Sequence, residues 1–225
     1  MIFFTRGVFD PTALPLIRLW NWKASPPVIP SDAQIRAAQD LVGWKQVQRR
    51  KGGIYLPRPG MCLDLGGIGK EYAVDRVVMM ALGRGIMNVM VDFGQDVRAH
   101  GMPPGKPAWH IGLQDPNDLN RCWTGVAVTN HAVASSGGGM RYFEHAGRRY
   151  CHILDPRTGY PVNNGACGVS IIAPHCTFAG ILSTAAFILG LKEGLEMISL
   201  CPGVEGCIIT ETARNQTRMF HAYTT

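Results

Sequence analysis

The sequence lacks several features that mark whole classes of protein. Its longest apolar stretch, residues 178–191, is too short and too mixed to span a bilayer, which needs roughly 20 residues. No repeat of about 20–50 residues recurs, which argues against a solenoid. Charged residues make up only 17% of the chain and hydrophobic residues 46%, the reverse of a disordered composition. We therefore expect a folded chain with no stable membrane insertion.

Paired cysteines are also missing. The chain has seven cysteines, an odd number, and none forms a CxxC pair, so neither a disulfide framework nor a zinc ribbon is indicated. Buried thiols in a reducing compartment fit this pattern best. Residues 1–4 lack the basic region and the long apolar run of a signal peptide. The sequence as given predicts a cytoplasmic protein, whereas a signal segment upstream would make it periplasmic.

Basic residues outnumber acidic ones without forming a long cluster. The net charge is +6, and the basic residues occur in short groups such as 45–51 and 148–149, separated by ordinary sequence. A nucleic-acid-binding protein usually concentrates its charge on one stretch or face. We expect a solvated basic surface and no nucleic-acid partner, with a general positive field that favours a small anionic ligand.

Glycine is abundant, with 27 residues against a usual level near 7%. This excess predicts many tight turns between the regular elements.

Ser31 and Gln34 form a capping box that predicts a helix to about Leu41. Apolar spacing predicts a second helix over 69–82 and two more over 178–189 and 192–200. Strands are predicted at 86–91, 109–113, 125–129, 149–154 and 169–172, and a closing hairpin at 207–210 and 217–223 that turns near Asn215. Because several strands are adjacent hairpins, we predict an α+β fold with a mixed or antiparallel sheet in a single domain over residues 1–225.

Residues 63–70 place three glycines and Lys70 at a strand-to-helix junction. Free backbone amides at a helix N-terminus bind phosphate well, and Lys70 adds a positive charge. The spacing matches neither a Walker A motif nor a dinucleotide fingerprint. A tight turn packed against a helix is about as good an interpretation as a phosphate site.

His152 is a candidate general base. On a strand, it would share one face with Tyr150 and Leu154, beside a loop that contains Asp155. A histidine oriented by a carboxylate can accept a proton from a hydroxyl group. The alternatives are a strand histidine with a purely structural role and, for residues 155–159, an ordinary turn with Asp at its start and Gly near its end.

Together these segments resemble the ApbE family, the FAD:protein FMN transferases, also called flavin transferases and formerly thiamine biosynthesis lipoproteins. The most specific match is the run His-Ile-Leu-Asp-Pro-Arg-Thr-Gly-Tyr-Pro at 152–161. The other matches follow in family order and span nearly the whole chain: 7–12 with Leu16 and Trp20, 63–70 with 72–76, 94–99, 135–137, and 182–185 with Gly190.

The resemblance implies an ApbE-like, T-fold-like α+β structure of mixed or antiparallel sheets with packed helices. It also implies a reaction, in which the FMN part of FAD moves to a threonine hydroxyl of an acceptor protein, AMP is released and Mg²⁺ is required. By motif position, FAD contacts are implied for Asp10, Thr12, Asp64, Lys70, His152 and Ile153. His152 matches the family's candidate base. The carbonyl of Gly67 and the side chain of Thr184 match positions of metal ligands. A homodimer is compatible with the resemblance.

Three departures from the family pattern accompany the match. Gly180 stands at a metal-ligand position where the family usually has Asp, and Gly138 stands where Ser-Gly-Asp is common. Only eight residues precede Phe9, where the family usually has a sizeable segment. Loss of a carboxylate predicts weaker Mg²⁺ binding. The alternatives to an active transferase are therefore a non-catalytic FAD-binding member and a metal-dependent FAD pyrophosphatase.

Overall fold

Helices and strands follow one another in an irregular order in the computed structural model, which describes residues 4–139 and 141–225. The α-helices are α1 (Leu14–Trp20), α2 (Asp32–Gln39), α3 (Gly69–Leu82) and α4 (Cys176–Ser199). The strands are β1 (Gln48–Arg50), β2 (Gly53–Tyr55), β3 (Val89–Phe93), β4 (Asp96–His100), β5 (Trp109–Asp115), β6 (Asp118–Val128), β7 (Ala132–Gly137), β8 (Tyr142–His145), β9 (Arg148–Cys151), β10 (Leu154–Asp155), β11 (Tyr160–Pro161), β12 (Ala166–Ala173), β13 (Glu205–Thr210) and β14 (Arg214–Gln216). The expected lack of a signal peptide concerns residues 1–4, of which 1–3 lie outside the described residues.

The chain divides into two compact units, each built from two separate stretches of sequence. The first unit contains residues 4–66 and 141–163, and the second contains 67–139 and 164–225. The single domain expected over residues 1–225 stays a prediction.

The first unit combines two short helices with three two-stranded antiparallel hairpins, β1–β2, β8–β9 and β10–β11. Helix α2 begins as predicted, because Ser31 Oγ accepts a hydrogen bond from Gln34 N and the Gln34 side chain accepts one from Ser31 N. A small core holds the unit together, with Trp20 at its centre. The core residues are Leu16, Trp20, Ile35, Ala38 and Leu154.

The second unit is organised around a six-stranded antiparallel sheet in the order β14-β13-β12-β7-β4-β3. Helices α3 and α4 pack on this sheet and on each other. The separate hairpin β5–β6 contributes Leu113 and Val126 to a buried cluster that also contains Val133 and Ile172 from the sheet. The α+β class with antiparallel pairing is confirmed.

Helix α4 is broken at Gly190, as the prediction of two helices over 178–189 and 192–200 requires. Gly190 has φ +78° and ψ −172°, and the Asn164 side chain donates hydrogen bonds to the carbonyls of Phe187 and Ile188. By length and composition alone α4 could cross a membrane, although most of its apolar window is buried inside the protein. Core helices of soluble proteins share this property.

Several predicted strands have different bounds in the structure. The strand expected at 86–91 is β3, which begins at Val89, and the strand expected at 149–154 ends at Cys151. The prediction of a hairpin turn near Asn215 is wrong. Thr210 N donates to the Ala213 carbonyl and closes the turn earlier, so Asn215 pairs with Ile208 inside β14, and residues 220–223 form a 3-10 turn.

Candidate active site

The residues that the family resemblance selects are distributed over both units. Asp10, Thr12, Asp64, His152 and Ile153 belong to the first unit. Gly67, Lys70, Gly180 and Thr184 belong to the second.

Asp10 and Thr12 form one hydrogen-bonded loop in the first unit. Asp10 Oδ1 accepts from Thr12 N at 2.8 Å and from Thr12 Oγ1 at 2.6 Å. Asp10 Oδ2 accepts from Trp44 N at 3.0 Å, and Thr12 Oγ1 accepts from Gly43 N at 2.7 Å. Thr12 is fully buried. Both side chains therefore fix the shape of the loop around residues 43–44.

Asp64 lies beside the same loop, because its backbone N–H donates to the Pro11 carbonyl at 2.7 Å. A Cβ atom at Gly66 would lie 2.8 Å from Asp64 Oδ2. Glycine at position 66 therefore leaves room for the Asp64 carboxylate to fold over the backbone.

His152 follows β9 directly and is held by a backbone contact. Its Nδ1 lies 3.2 Å from the carbonyl oxygen of Arg141. A carbonyl only accepts hydrogen bonds, so Nδ1 carries the proton and the lone pair of the neutral ring is on Nε2. Burial lowers the pKa of His152 below its ordinary value. The neutral ring therefore dominates at neutral pH, as a general base requires.

Asp155 does not orient His152, contrary to one interpretation of the sequence. Its carboxylate accepts hydrogen bonds from the backbone and the guanidinium of Arg157, at 2.8 to 3.2 Å. The predicted turn over 155–159 does form, with Gly159 at φ +77° and its N–H bonded to the Asp155 carbonyl at 2.7 Å. Ile153, whose carbonyl accepts from Val162 N at 2.9 Å, stands between the histidine and this turn.

Lys70 lies in the first turn of α3, which begins at Gly69 without a side-chain cap. The Lys70 ammonium group is 2.6 Å from Asp96 Oδ2 and donates to the Gly94 carbonyl at 3.0 Å. Gly67, just before the helix, has φ +75°, a conformation that favours glycine. A lysine beside uncapped helix amides is a suitable environment for an anionic group.

Thr184 and Gly180 lie one turn apart on α4 and so share a face of the helix. Thr184 Oγ1 is 3.1 Å from Ser136 Oγ, which in turn is 2.8 Å from Ser183 Oγ. Within residues 4–139 and 141–225, no group of three or more His, Cys, Asp or Glu side chains is arranged to hold a metal ion.

Glu71 occupies the space next to Gly180, although no sequence motif selects it. A Cβ atom at position 180 would lie 2.7 Å from Glu71 Cγ and 3.2 Å from Glu71 Oε1. Glu71 is only 4% exposed, and its Oε2 has no hydrogen-bond partner. Burial, reinforced by a hydrogen bond with Asp96, raises the pKa of Glu71 to about 7. The helical spacing of the sequence could have indicated that Glu71 is buried, because Glu71 lies on the same buried stripe of α3 as Val74 and Val78.

Asp75 on α3 holds the start of α4 in place. Its Oδ1 accepts from Arg98 Nη1 at 2.8 Å and from Cys176 N at 2.9 Å, and its Oδ2 accepts from the N–H and hydroxyl of Thr177. These bonds cap the first turn of α4, the helix that carries Gly180 and Thr184.

Comparison with known proteins gives a consistent result. The model of the ApbE family matches residues 4–208. An FAD:protein FMN transferase of Treponema pallidum is 31% identical over 219 residues, which covers 90% of this chain and 60% of that protein. A Vibrio cholerae protein of the same name is 31% identical over 194 residues, covering 85% and 58%. The chain thus spans about 60% of the length of these relatives.

Solved structures agree with the sequence relatives. The crystal structure of an ApbE protein from Thermotoga maritima has a TM-score of 0.89 at 35% identity, covering all of this chain and 74% of that one. The flavin transferase ApbE from Vibrio cholerae has a TM-score of 0.86 at 27% identity, covering 99% and 72%.

Proposed function

The chain belongs to the ApbE family, and from that premise we propose that it transfers the FMN part of FAD to a threonine hydroxyl of an acceptor protein. Its relatives carry the name FAD:protein FMN transferase, and the proposal extends that activity to this chain. The observation that carries the proposal is the contact between His152 Nδ1 and the Arg141 carbonyl, which leaves Nε2 as the nitrogen that can accept a proton.

The reaction needs one bond to form and one to break. The threonine oxygen of the acceptor bonds to the phosphorus on the FMN side of the pyrophosphate, while the bond from that phosphorus to the AMP oxygen breaks. AMP leaves with the electron pair. His152 Nε2 takes the hydroxyl proton, which makes the threonine oxygen a better nucleophile.

Other residues support substrate binding in this proposal. Lys70 and the uncapped amides of α3 suit the negative pyrophosphate. Asp10, Thr12, Asp64 and Ile153 match family positions that contact FAD. Glycine at positions 66 and 67 lets the backbone approach a ligand closely.

We also propose that Mg²⁺ accompanies FAD, and the chemistry of the donors in the second unit fits this hard cation. The buried Glu71 has a carboxylate oxygen without a partner, and Thr184 has a hydroxyl group. The carbonyl of Gly67 is a third oxygen donor that the family resemblance selects. When bound, Mg²⁺ would neutralise negative charge on the pyrophosphate.

The decisive experiment combines the protein with FAD, Mg²⁺ and a threonine-containing acceptor of a flavin transferase. We expect AMP in solution and a mass increase of one FMN on the acceptor threonine, detected by mass spectrometry. An acceptor in which the threonine is replaced by alanine is the control.

A second candidate function is FAD binding without turnover, which the glycines at 180 and 138 favour because carboxylates are common there in the family. Bound FAD with no AMP release at millimolar Mg²⁺ would support this alternative and contradict the transferase. AMP and free FMN with an unmodified acceptor would instead indicate a metal-dependent FAD pyrophosphatase.

A further inference from the structure

We propose that the carboxylate of Glu71 is a ligand of the divalent cation in this chain, in the space that the absence of a side chain at Gly180 leaves open. The inference rests on the proposed function only in its choice of a divalent cation as the ion. It assigns to α3 a ligand that the family resemblance places on α4.

The first step is the geometry around Gly180. A Cβ atom there would lie 2.7 Å from Glu71 Cγ and 3.1 Å from Cδ. A side chain at position 180 therefore does not fit while Glu71 keeps its present position. Glu71 fills the volume in which a side chain at position 180 would begin. The carboxyl carbon of Glu71 is close to where a carboxylate from α4 would reach.

The second step is the unmet bonding capacity of Glu71. The side chain is buried and hydrogen-bonds the Asp96 carboxyl group, but its Oε2 has no hydrogen-bond partner. The neighbouring lysine does not supply a dedicated partner, because Lys70 forms its ion pair with Asp96. An unpartnered oxygen on a buried carboxylate is costly, and a bound cation would remove that cost.

The third step is the supply of further oxygen donors. Thr184 lies one helical turn beyond Gly180, and its hydroxyl is joined through Ser136 to the hydroxyl of Ser183. The Gly180 carbonyl accepts from Ser183 Oγ at 3.0 Å. Hydroxyl, carbonyl and carboxylate oxygens are the ligands that Mg²⁺ and Mn²⁺ prefer.

A proton is the competing occupant of the Glu71 carboxylate. In that case Glu71 is a neutral side chain that hydrogen-bonds the Asp96 carboxyl group and fills space beside Gly180. The substitution Glu71→Gln separates the two interpretations, because glutamine has the size of the side chain and a donor and an acceptor like the protonated acid, but lacks the charge of the carboxylate.

The experiment measures Mn²⁺ binding to the whole protein without FAD, by electron paramagnetic resonance and calorimetry. We expect Glu71→Gln to weaken binding by at least about tenfold. The exposed Glu211, in the turn between β13 and β14, provides the matched control, and Glu211→Gln should bind Mn²⁺ like the natural chain. Equal affinity of the natural chain and Glu71→Gln, or no saturable binding by the natural chain, overturns the proposal.

Moving the carboxylate provides a second test. Glu71→Ala should lose Mn²⁺ affinity, and adding Gly180→Asp to it should restore the affinity, since the new side chain then enters the vacated space. Circular dichroism and thermal unfolding check that each variant is folded. If the folded double variant does not regain Mn²⁺ affinity, the proposal that a carboxylate at either position reaches the same cation is refuted.

The outcome is independent of the transferase assay. If Glu71→Gln loses Mn²⁺ binding and the natural chain releases no AMP, the role of Glu71 as a ligand is supported and the proposed function is contradicted. If the natural chain releases AMP and the Glu71→Gln variant binds Mn²⁺ normally, the proposed function is supported and the role of Glu71 as a ligand is contradicted.

Discussion

His152 shows how a backbone contact can prepare a side chain for chemistry. The Arg141 carbonyl fixes the proton on Nδ1, so the ring needs no carboxylate to select its tautomer. This arrangement differs from the His–Asp pairing that adjacency in the sequence suggested. Burial of the ring lowers its pKa and so favours the neutral form.

Replacement of His152 should remove the proposed base. We expect His152→Gln to lower kcat for FMN transfer by about 10²- to 10⁴-fold. Since burial lowers the pKa of His152, the rate of the proposed transfer by the natural chain should fall only as the pH drops below the ordinary histidine range near 6.5.

The measurement is a pH–rate profile from single-turnover AMP release. The exposed His145 on strand β8 gives the matched control, and His145→Gln should leave the profile unchanged. A profile for His152→Gln that keeps both its height and its acidic limb would contradict the role of base.

At the scale of elements, α4 depends on a carboxylate from another helix. Asp75 on α3 accepts the first N–H groups of α4 and also pairs with Arg98. Burial by itself raises the pKa of Asp75, but the hydrogen bonds from Thr177 and Cys176 and the charge of Arg98 outweigh burial and lower the pKa. The folded state therefore favours the ionised carboxylate.

Asp75→Asn should destabilise the protein at neutral pH by roughly 2–4 kcal/mol, because it leaves Arg98 without its partner and weakens the cap. The pKa of Asp75 is lower in the folded state than in the unfolded state. Its contribution is thus fully present above the unfolded value near 3.8 and is lost as the pH falls through the lower folded value.

Urea unfolding at several pH values measures this effect. The difference between the natural chain and Asp75→Asn should shrink below pH 3.8. Asp118→Asn, a substitution at the exposed first residue of β6, serves as the control and should change stability by less than about 0.5 kcal/mol. A pH-independent difference for Asp75→Asn would argue against the ionised cap.

Elements with a complete local signal were predictable from the sequence. The capping box at Ser31 and the apolar stripe of α3 gave helices with nearly the observed bounds, since both signals lie inside the helix itself. The turn that ends β13 was missed because the Thr210–Ala213 contact has no strong composition signature. Glu71 could not be linked to Gly180, because that contact joins two helices that lie far apart in the sequence.

At the scale of the whole molecule, the two units differ in how much structure protects their backbone. Strand β12 is largely buried between β7 and β13, whereas both strands of the β1–β2 hairpin are exposed. Local opening is cheapest where few buried contacts are lost. Stability should therefore vary strongly along the chain.

Native-state hydrogen exchange, measured by mass spectrometry at neutral pH, tests this variation. We expect the β12 amides to exchange at least about a hundredfold more slowly than those of β1–β2, a difference of about 2.7 kcal/mol. The edge strand β3 of the same sheet provides an internal reference and should be intermediate. Uniform protection across these segments would contradict the expected gradient.

The interleaved course of the chain also has a consequence during translation. The first unit needs residues 141–163, and the second needs residues 224 and 225, since Thr224 pairs with Val126 and Thr225 N donates to the Gly125 carbonyl. A ribosome that has released residues 4–66 has therefore delivered only part of the first unit. Since synthesis adds roughly 5–20 residues each second, nascent chains would expose incomplete cores for several seconds, a period in which chaperones can bind them.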